Sequence, residues 1–443
     1  MNLNEAIHRL ADFITRLASE EESSRQAAAA TGVRHYGIKT DFVSFSDEGL
    51  GEVLLKDGDA KEYRRHVDEV YKQSVGKTEH LSRSAVASFI QMAILKVLNP
   101  AQDSNEKNLS KRLSTALADL KKELKSKPVN WEAHFPVEIL ADKLPYLFGK
   151  CEFYFGDEEC TSSLIQRMCP QNDFHGGDRK QKARQGDTES VKDAVRGKTW
   201  VSTLVEAVDA NAAQLLARRR IRQTVDILNF YANLGGQGDC QALLSEDARA
   251  VLESNIVFSQ ESDAREIGSR WVGSFVPFSF ASPNFQQAGF ERVSAILAKQ
   301  SLSEFEDRVI KAFQWAGRAS VEPRREEAFL LCAISLESLL LRKKGKEVTE
   351  TLALRLAHLI SSPKTRLMVY RDMKRLYDIR SEIVHSGSVD VGEDQLSEIR
   401  YYTRLALLSA LLSSHFSKMT TDDEFMHWFR GRLLDIPQDQ SPV

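Results

Sequence analysis

The last third of the chain constrains the fold more than any other region. Five segments with helical apolar periodicity follow one another between residues 302 and 418. The breaks between them are short and contain Pro323, Gly345 and Pro363, residue types that end helices or allow tight turns. Because short connections make consecutive helices neighbours, this region is predicted to form an up-and-down bundle of antiparallel helices.

The residues ahead of this bundle predict a mixed organisation. Helical periodicity is found over residues 3–30, 60–73, 82–98 and 105–126. Two short strands are expected on either side of residues 47–51, and a small β element from residue 128, where aromatic residues and strand formers become frequent. Short strands and turns are also expected over residues 246–284. Helical periodicity returns over residues 191–234 and ends at Gly235 and Gly236.

Together these patterns predict a mainly α protein with a minor β element, in which a mixed α/β N-terminal region precedes a C-terminal up-and-down helical bundle. The expected divisions are a mostly helical region over 1–127, a mixed α/β region over 128–290, a bundle over 298–420 and a tail over 421–443. Residues 171–190 have almost no apolar side chains and are predicted to form a flexible loop.

The balance of charge argues against a protein that coats nucleic acid. The chain has 60 Lys and Arg against 63 Asp and Glu, so any contact with nucleic acid must be local. The first residues carry acidic side chains where a secretory signal would need an uninterrupted apolar segment. No apolar run approaches the roughly 18 residues of a membrane span, so we expect a cytoplasmic protein without a membrane partner.

The cysteines favour neither a disulfide framework nor a zinc site. Five of them are scattered along the chain, an odd number that fits reduced thiols. Cys151, Cys160 and Cys169 precede His175, but they are too far apart, because zinc ligands come in pairs separated by about two to four residues. We therefore expect ordinary buried cysteines, and the sequence predicts neither a metal nor a cofactor.

A run of four arginines lies within the helix predicted over 191–234, at positions 218, 219, 220 and 222. One interpretation is a patch that contacts phosphate. The other is a solvated face in which one arginine pairs with a neighbouring acid. Four arginines in five positions surround a helix and cannot form one stripe, so both interpretations stay open.

A charged residue interrupts the apolar face of the fourth bundle helix. Its expected face comprises Met373, Leu376, Ile379, Ile383 and Val384, and Arg380 falls inside that arc. His385 follows five residues later, about 140° around the helix, just before a Ser-Gly stop signal. The two side chains therefore do not share one face.

The second bundle helix contains a matching acid. Phe329, Ala333, Leu336 and Leu340 make an apolar face that Leu330, Ile334 and Leu341 extend, and Glu337 projects between the two rows. Burying either charge alone costs several kcal/mol, so we expect Glu337 to pair with Arg380.

The order of the segments FLLCAISLESLLL, ETLALRLAHLI and YDIRSEIVHSG resembles the HEPN (higher eukaryote and prokaryote nucleotide-binding) domain family, in particular its Apea-like branch. The resemblance covers roughly residues 300–418, about a quarter of the chain, and centres on an Arg-x4-His motif at a helix end. It implies a HEPN-like bundle that forms a homodimer, because family members usually combine two such motifs across a two-fold axis.

The resemblance also implies a metal-independent endoribonuclease. Under this hypothesis His385 transfers protons, Arg380 stabilises the negative charge on the phosphate, and Glu337 supports Arg380. Ser381 stands where active ribonucleases of the family commonly have Asn, Asp or His; it can donate a hydrogen bond to phosphate but cannot share proton transfer. The same helix also carries positive side chains that would attract the RNA backbone, at Arg371, Lys374 and Arg375.

One alternative to this activity remains. The domain can be a non-catalytic HEPN module for dimerisation or for binding a ligand or partner. In either case residues 1–290 can act as a sensor of a trigger ligand or partner protein, as in the toxin, antiviral defence and abortive-infection systems where this family is frequent.

Overall fold

The protein is mainly helical, with a smaller content of β-sheet. A computed structural model describes residues 2–31, 42–47, 51–74, 80–98, 109–137, 139–141, 145–168, 199–234, 252–259, 265–271, 276–278, 280, 282–322, 324–341, 348–386 and 390–434. They belong to two compact units, each assembled from stretches that are distant in sequence. The first comprises Met1–Ala133, Leu204–Ala217 and Val257–Glu266, and the second comprises His134–Thr203, Arg218–Ile256 and Ile267–Val443. The sequence-based boundaries near residues 127 and 290 stay predictions.

The N-terminal part of the first unit confirms the helices and the hairpin predicted there. Its elements are α1 (Leu3–Thr31), β1 (Phe42–Asp47), β2 (Gly51–Lys56), α2 (Asp57–Ser74), α3 (Arg83–Leu98) and α4 (Leu109–Glu123). Strands β1 and β2 pair in antiparallel register. The four helices share one apolar core that includes Leu10, Ile14, Val67, Ile90 and Ile94, as amphipathic helices require.

The middle of the chain confirms strands in both places where they were predicted, after residue 128 and between residues 246 and 284. Its elements are β3 (Val129–Val137), β4 (Ile139–Ala141), β5 (Tyr146–Phe148), β6 (Cys151–Phe155), α5 (Glu158–Met168), β7 (Thr199–Ala207), α6 (Ala210–Ala232), β8 (Leu252–Ser259), β9 (Arg265–Trp271) and β10 (Val276–Phe278). Six strands form a sheet in the order β5, β6, β7, β3, β8, β9, and β10 pairs with β4. The predicted loop at 171–190 lies outside the described residues.

The helix predicted over residues 191–234 is wrong over Thr199–Ala207, which form β7, and α6 begins only at Ala210. Residues 191–198 lie outside the described residues. β7 pairs with β6, with Thr203 opposite Cys151. Its first five residues are all buried, so the strand lacks the alternation of apolar and polar residues that marks a half-exposed strand.

The arginine run on α6 contributes to packing at two of its positions. Arg218 places its guanidinium carbon 5.4 Å from the centre of the Phe135 ring. Arg220 donates from Nη1 to the hydroxyl of Thr203 over 3.3 Å. Both partners lie on neighbouring strands of the six-stranded sheet, Phe135 on β3 and Thr203 on β7.

The C-terminal region confirms the five predicted helices. It contains α7 (Pro283–Gln287), α8 (Phe290–Ala298), α9 (Glu304–Val321), α10 (Arg325–Leu340), α11 (Val348–Ile360), α12 (Arg366–Ser386), α13 (Glu393–Leu412) and α14 (Asp422–Leu433). Helices α9 to α13 contact one another and bury an apolar core. Among the described residues, no helix combines the length and the apolar character that crossing a membrane requires.

Part of the predicted tail over 421–443 is instead helix α14. Thr421 caps this helix, since its side chain accepts from the backbone N–H of Glu424 and the Glu424 carboxylate accepts from the N–H of Thr421. Phe425 and Phe429 are buried in an aromatic cluster with Phe305 and Phe416. The segment is therefore part of the folded bundle.

A close helix contact fixes α6 against α9. A Cβ atom at Gly317 would lie 1.6 Å from the backbone oxygen of Asp226, so only glycine permits this approach. The buried Asp226 carboxylate accepts hydrogen bonds from Gln314 and Arg318 on α9, over 3.0 and 2.8 Å. Burial raises the pKa of Asp226, and the two donors oppose that rise.

Candidate functional site

Helix α12 carries the Arg-x4-His motif and buries most of its predicted face. Met373, Leu376 and Ile383 are buried and Ile379 is half-buried. The prediction is wrong for Val384, which is 51% exposed. Val384 and His385 are exposed in the last turn of the helix.

Helix α10 presents its acid beside this helix. Phe329, Ala333, Leu336 and Leu340 are fully buried as predicted, whereas Leu330, Ile334 and Leu341 are only half-buried. The buried face extends instead through Cys332, Ser335 and Leu339. Glu337 lies at the edge of this face, half-buried, rather than between two buried rows.

Glu337 and Arg380 form the predicted ion pair. The Nε of Arg380 lies 3.1 Å from Oε1 of Glu337, and the two side chains are 26% and 23% exposed. The Nε–H is not aligned on the oxygen as a hydrogen bond. The interaction is therefore a half-buried ion pair, and solvent screens part of its strength.

Tyr377 completes this cluster, and sequence reasoning missed it. Its hydroxyl donates to Oε1 of Glu337 over 2.7 Å, and its ring centre lies 5.4 Å from the guanidinium carbon of Arg380. Burial and the Glu337 carboxylate together raise the pKa of Tyr377, so the phenol stays protonated and keeps donating. Its position three residues before Arg380, in the same arc of the helix, was the available signal.

The ion pair leaves part of the Arg380 guanidinium open. Glu337 lies beside Nε, and no described residue is hydrogen-bonded to Nη1 or Nη2. A guanidinium held at Nε can offer both terminal nitrogens to two oxygens of one phosphate group. The geometry therefore suits binding of an oxyanion at Arg380.

His385 and Ser381 occupy different positions along this helix. His385 is exposed in the last turn, where the helix dipole favours a cation. Ser381 is half-buried one residue after Arg380. Because Arg380 packs against Glu337 while His385 points into solvent, one copy of the chain does not bring the motif residues onto one face.

The predicted RNA-contacting residues differ in their surroundings. Lys374 donates to Glu350 over 3.0 Å, and Arg375 donates to both carboxylate oxygens of Glu398 over 2.6 and 2.5 Å. Arg371 is exposed, with no partner among the residues that the structure describes. Ion pairs with acids from other helices therefore offset most of the positive charge expected on this face.

The remaining candidate ligands do not assemble into a metal site within the described part of the chain, where no group of three or more His, Cys, Asp or Glu side chains is placed to hold an ion. Cys151 and Cys332 are buried free thiols, as predicted, and burial raises the pKa of both. Cys169, Cys240 and His175 lie outside the described residues.

Comparison of the chain with family models, with curated proteins and with solved structures yields no match. The HEPN resemblance therefore stays a prediction, carried by the motif residues and the order of the helices.

Proposed function

We propose that this protein is a metal-independent endoribonuclease with Arg380 and His385 as its catalytic residues. We also propose that it acts as a regulated effector. The observation that carries the proposal is the exposed imidazole of His385 at the end of the same helix that holds Arg380 with Nη1 and Nη2 open. An imidazole that can transfer protons and a guanidinium fork that can bind phosphate are two groups that suit RNA cleavage.

The chemistry follows from the substrate, because RNA carries its own nucleophile. One imidazole acts as the general base and removes the proton of the 2′-OH. The 2′-oxygen then bonds to phosphorus, and the bond from phosphorus to the 5′-oxygen breaks. The departing 5′-oxygen takes a proton from a general acid. The Arg380 fork stabilises the additional negative charge on the phosphorane. The products are a 2′,3′-cyclic phosphate and a 5′-OH, and DNA is spared because it lacks the 2′-OH.

The helix geometry favours a homodimer as the active form. Arg380 and His385 project about 140° apart on one helix. In a dimer whose interface runs along α12, with both His385 residues near the two-fold axis, His385 of each copy would lie opposite the other copy's motif. Ser381 adds a hydroxyl donor next to Arg380, and residues 1–290 are proposed to respond to a trigger ligand or partner protein.

The experiment is cleavage of single-stranded RNA by the purified protein, with and without EDTA. We expect cleavage in both conditions, none of DNA, and a loss of about 10²- to 10⁴-fold in His385→Ala. His427→Ala is the matched control, since His427 is another exposed histidine of the same bundle. Wild-type rates in a folded His385→Ala protein would contradict the proposal.

The ion pairs of Lys374 and Arg375 favour a second candidate, a non-catalytic HEPN module that dimerises or binds a ligand or partner protein. A face whose cations are already paired attracts phosphate less strongly. A wild-type protein that forms a dimer in solution but cleaves no RNA would favour this candidate.

A further inference from the structure

We propose that Tyr377 is a positioning residue for Arg380, acting through Glu337 and through its own ring. This inference rests on the proposed function, because it concerns how Arg380 is set to bind a scissile phosphate. It assigns to Tyr377 a role that the motif itself does not contain.

Tyr377 restrains Arg380 in two ways. Its hydroxyl donates to the same Glu337 oxygen that faces Nε of Arg380, so the carboxylate is held in one orientation by a neutral donor. Its ring lies under the guanidinium, at 5.4 Å, where a cation is attracted to the aromatic face. Because Tyr377 is buried, with 6% exposure, it provides a rigid support for a half-exposed side chain.

The restraint matters because the ion pair lacks a well-aligned hydrogen bond. With only Glu337, the guanidinium could rotate about its long side chain, and the Nη1 and Nη2 fork would lose its fixed direction. Catalysis depends on such direction, since a small misplacement of a charge-stabilising group lowers the rate of the chemical step.

The test is Tyr377→Phe, which keeps the ring and removes the hydroxyl. The same bundle offers a matched control: Tyr402, 5% exposed, donates to the Asp372 carboxylate over 2.6 Å. Tyr402→Phe therefore removes an equivalent buried bond from a tyrosine that does not contact Arg380. Both variants are compared with wild type well below their unfolding temperatures, using a single-stranded RNA.

We expect Tyr377→Phe to lower kcat by about 10- to 100-fold, while Tyr402→Phe keeps the wild-type kcat. In an Arg380→Lys background the Tyr377→Phe change should have no further effect on kcat, because Lys has no fork to orient. A purely structural role of Tyr377 would lower stability in both backgrounds without this dependence on Arg380.

The outcomes separate the two proposals. Equal kcat values for Tyr377→Phe and Tyr402→Phe, in a protein whose cleavage is lost in His385→Ala, would overturn the role of Tyr377 and leave the proposed function standing. Absence of cleavage by the wild-type protein would overturn the proposed function, and the role of Tyr377 with it.

Discussion

Two arginines of the same bundle, Arg308 and Arg380, each pair with an acid from another helix. They differ in how many of their guanidinium nitrogens have a hydrogen-bond partner. Arg308 on α9 is 9% exposed, whereas Arg380 on α12 is 26% exposed. Arg308 makes a bidentate pair with Asp422, with 2.7 Å between Nε and Oδ1. Its Nη1 lies within 3.2 Å of three backbone oxygens at the end of α10.

The bonds of Arg308 stabilise the fold, whereas Arg380 keeps guanidinium nitrogens that can bind a ligand. Every nitrogen of the Arg308 guanidinium has a partner, and these bonds satisfy carbonyls that a helix end leaves without intrahelical donors. In Arg380, Nη1 and Nη2 have no partner within the described chain. We therefore expect the two arginines to respond to substitution in opposite ways, one in stability and the other in activity.

The largest loss of stability is expected for Arg308→Ala. The substitution leaves Asp422 and the carbonyls of Ser338, Leu339 and Leu341 without their donor. Breaking a fully buried pair costs about 3 to 5 kcal/mol, and because Asp422 is 37% exposed we expect about 2 to 4 kcal/mol here, measured as the free energy of unfolding in urea. Arg308→Lys restores the charge but not the five-donor fork and should recover only part of the loss. An unchanged unfolding midpoint in Arg308→Ala would contradict the comparison.

An intermediate loss is expected for Glu337→Ala. It removes the acceptor of the Tyr377 hydroxyl and the counter-charge of Arg380, but solvent reaches both charged groups. We expect a cost of about 1 to 2 kcal/mol in the free energy of unfolding. Glu337→Gln keeps the acceptor for Tyr377 and should cost less. Equal and negligible losses in the two variants would show that the pair does not stabilise the bundle.

Arg380→Ala is expected to cost only about 1 kcal/mol of stability, because the side chain is half-exposed and its pair with Glu337 is poorly aligned. Its effect on RNA cleavage should be much larger, on the order of 10²-fold or more. Arg430→Ala, at an exposed arginine of α14, is the control for a general loss of positive charge. Equal cleavage by these two variants would place Arg380 outside the site.

The smallest change in stability is expected for His385→Ala. The side chain is exposed in the last turn of α12, so the free energy of unfolding should change by less than about 0.5 kcal/mol. A loss of cleavage in this variant would therefore reflect lost chemistry and not lost fold. Stability is measured by urea unfolding, and cleavage by the RNA assay, on the same preparation of the variant.

Sequence alone predicted the elements whose signal is local. The helices of the first unit and the five bundle helices follow from apolar side chains that recur with the period of a helix, a pattern that neighbouring residues create among themselves. The Glu337–Arg380 pair was also predictable, because two opposite charges on the apolar faces of adjacent helices are costly unless they meet.

Only the tertiary structure decided the features that depend on partners distant in sequence. β7 lacks an alternating pattern because its first residues are buried together, and the predicted tail is a helix because Phe425 and Phe429 complete an aromatic cluster. Glu350 and Glu398 neutralise Lys374 and Arg375, and Tyr377 reaches Glu337 on another helix. A linear pattern records which face of a helix is apolar, but packing determines which atoms meet across that face.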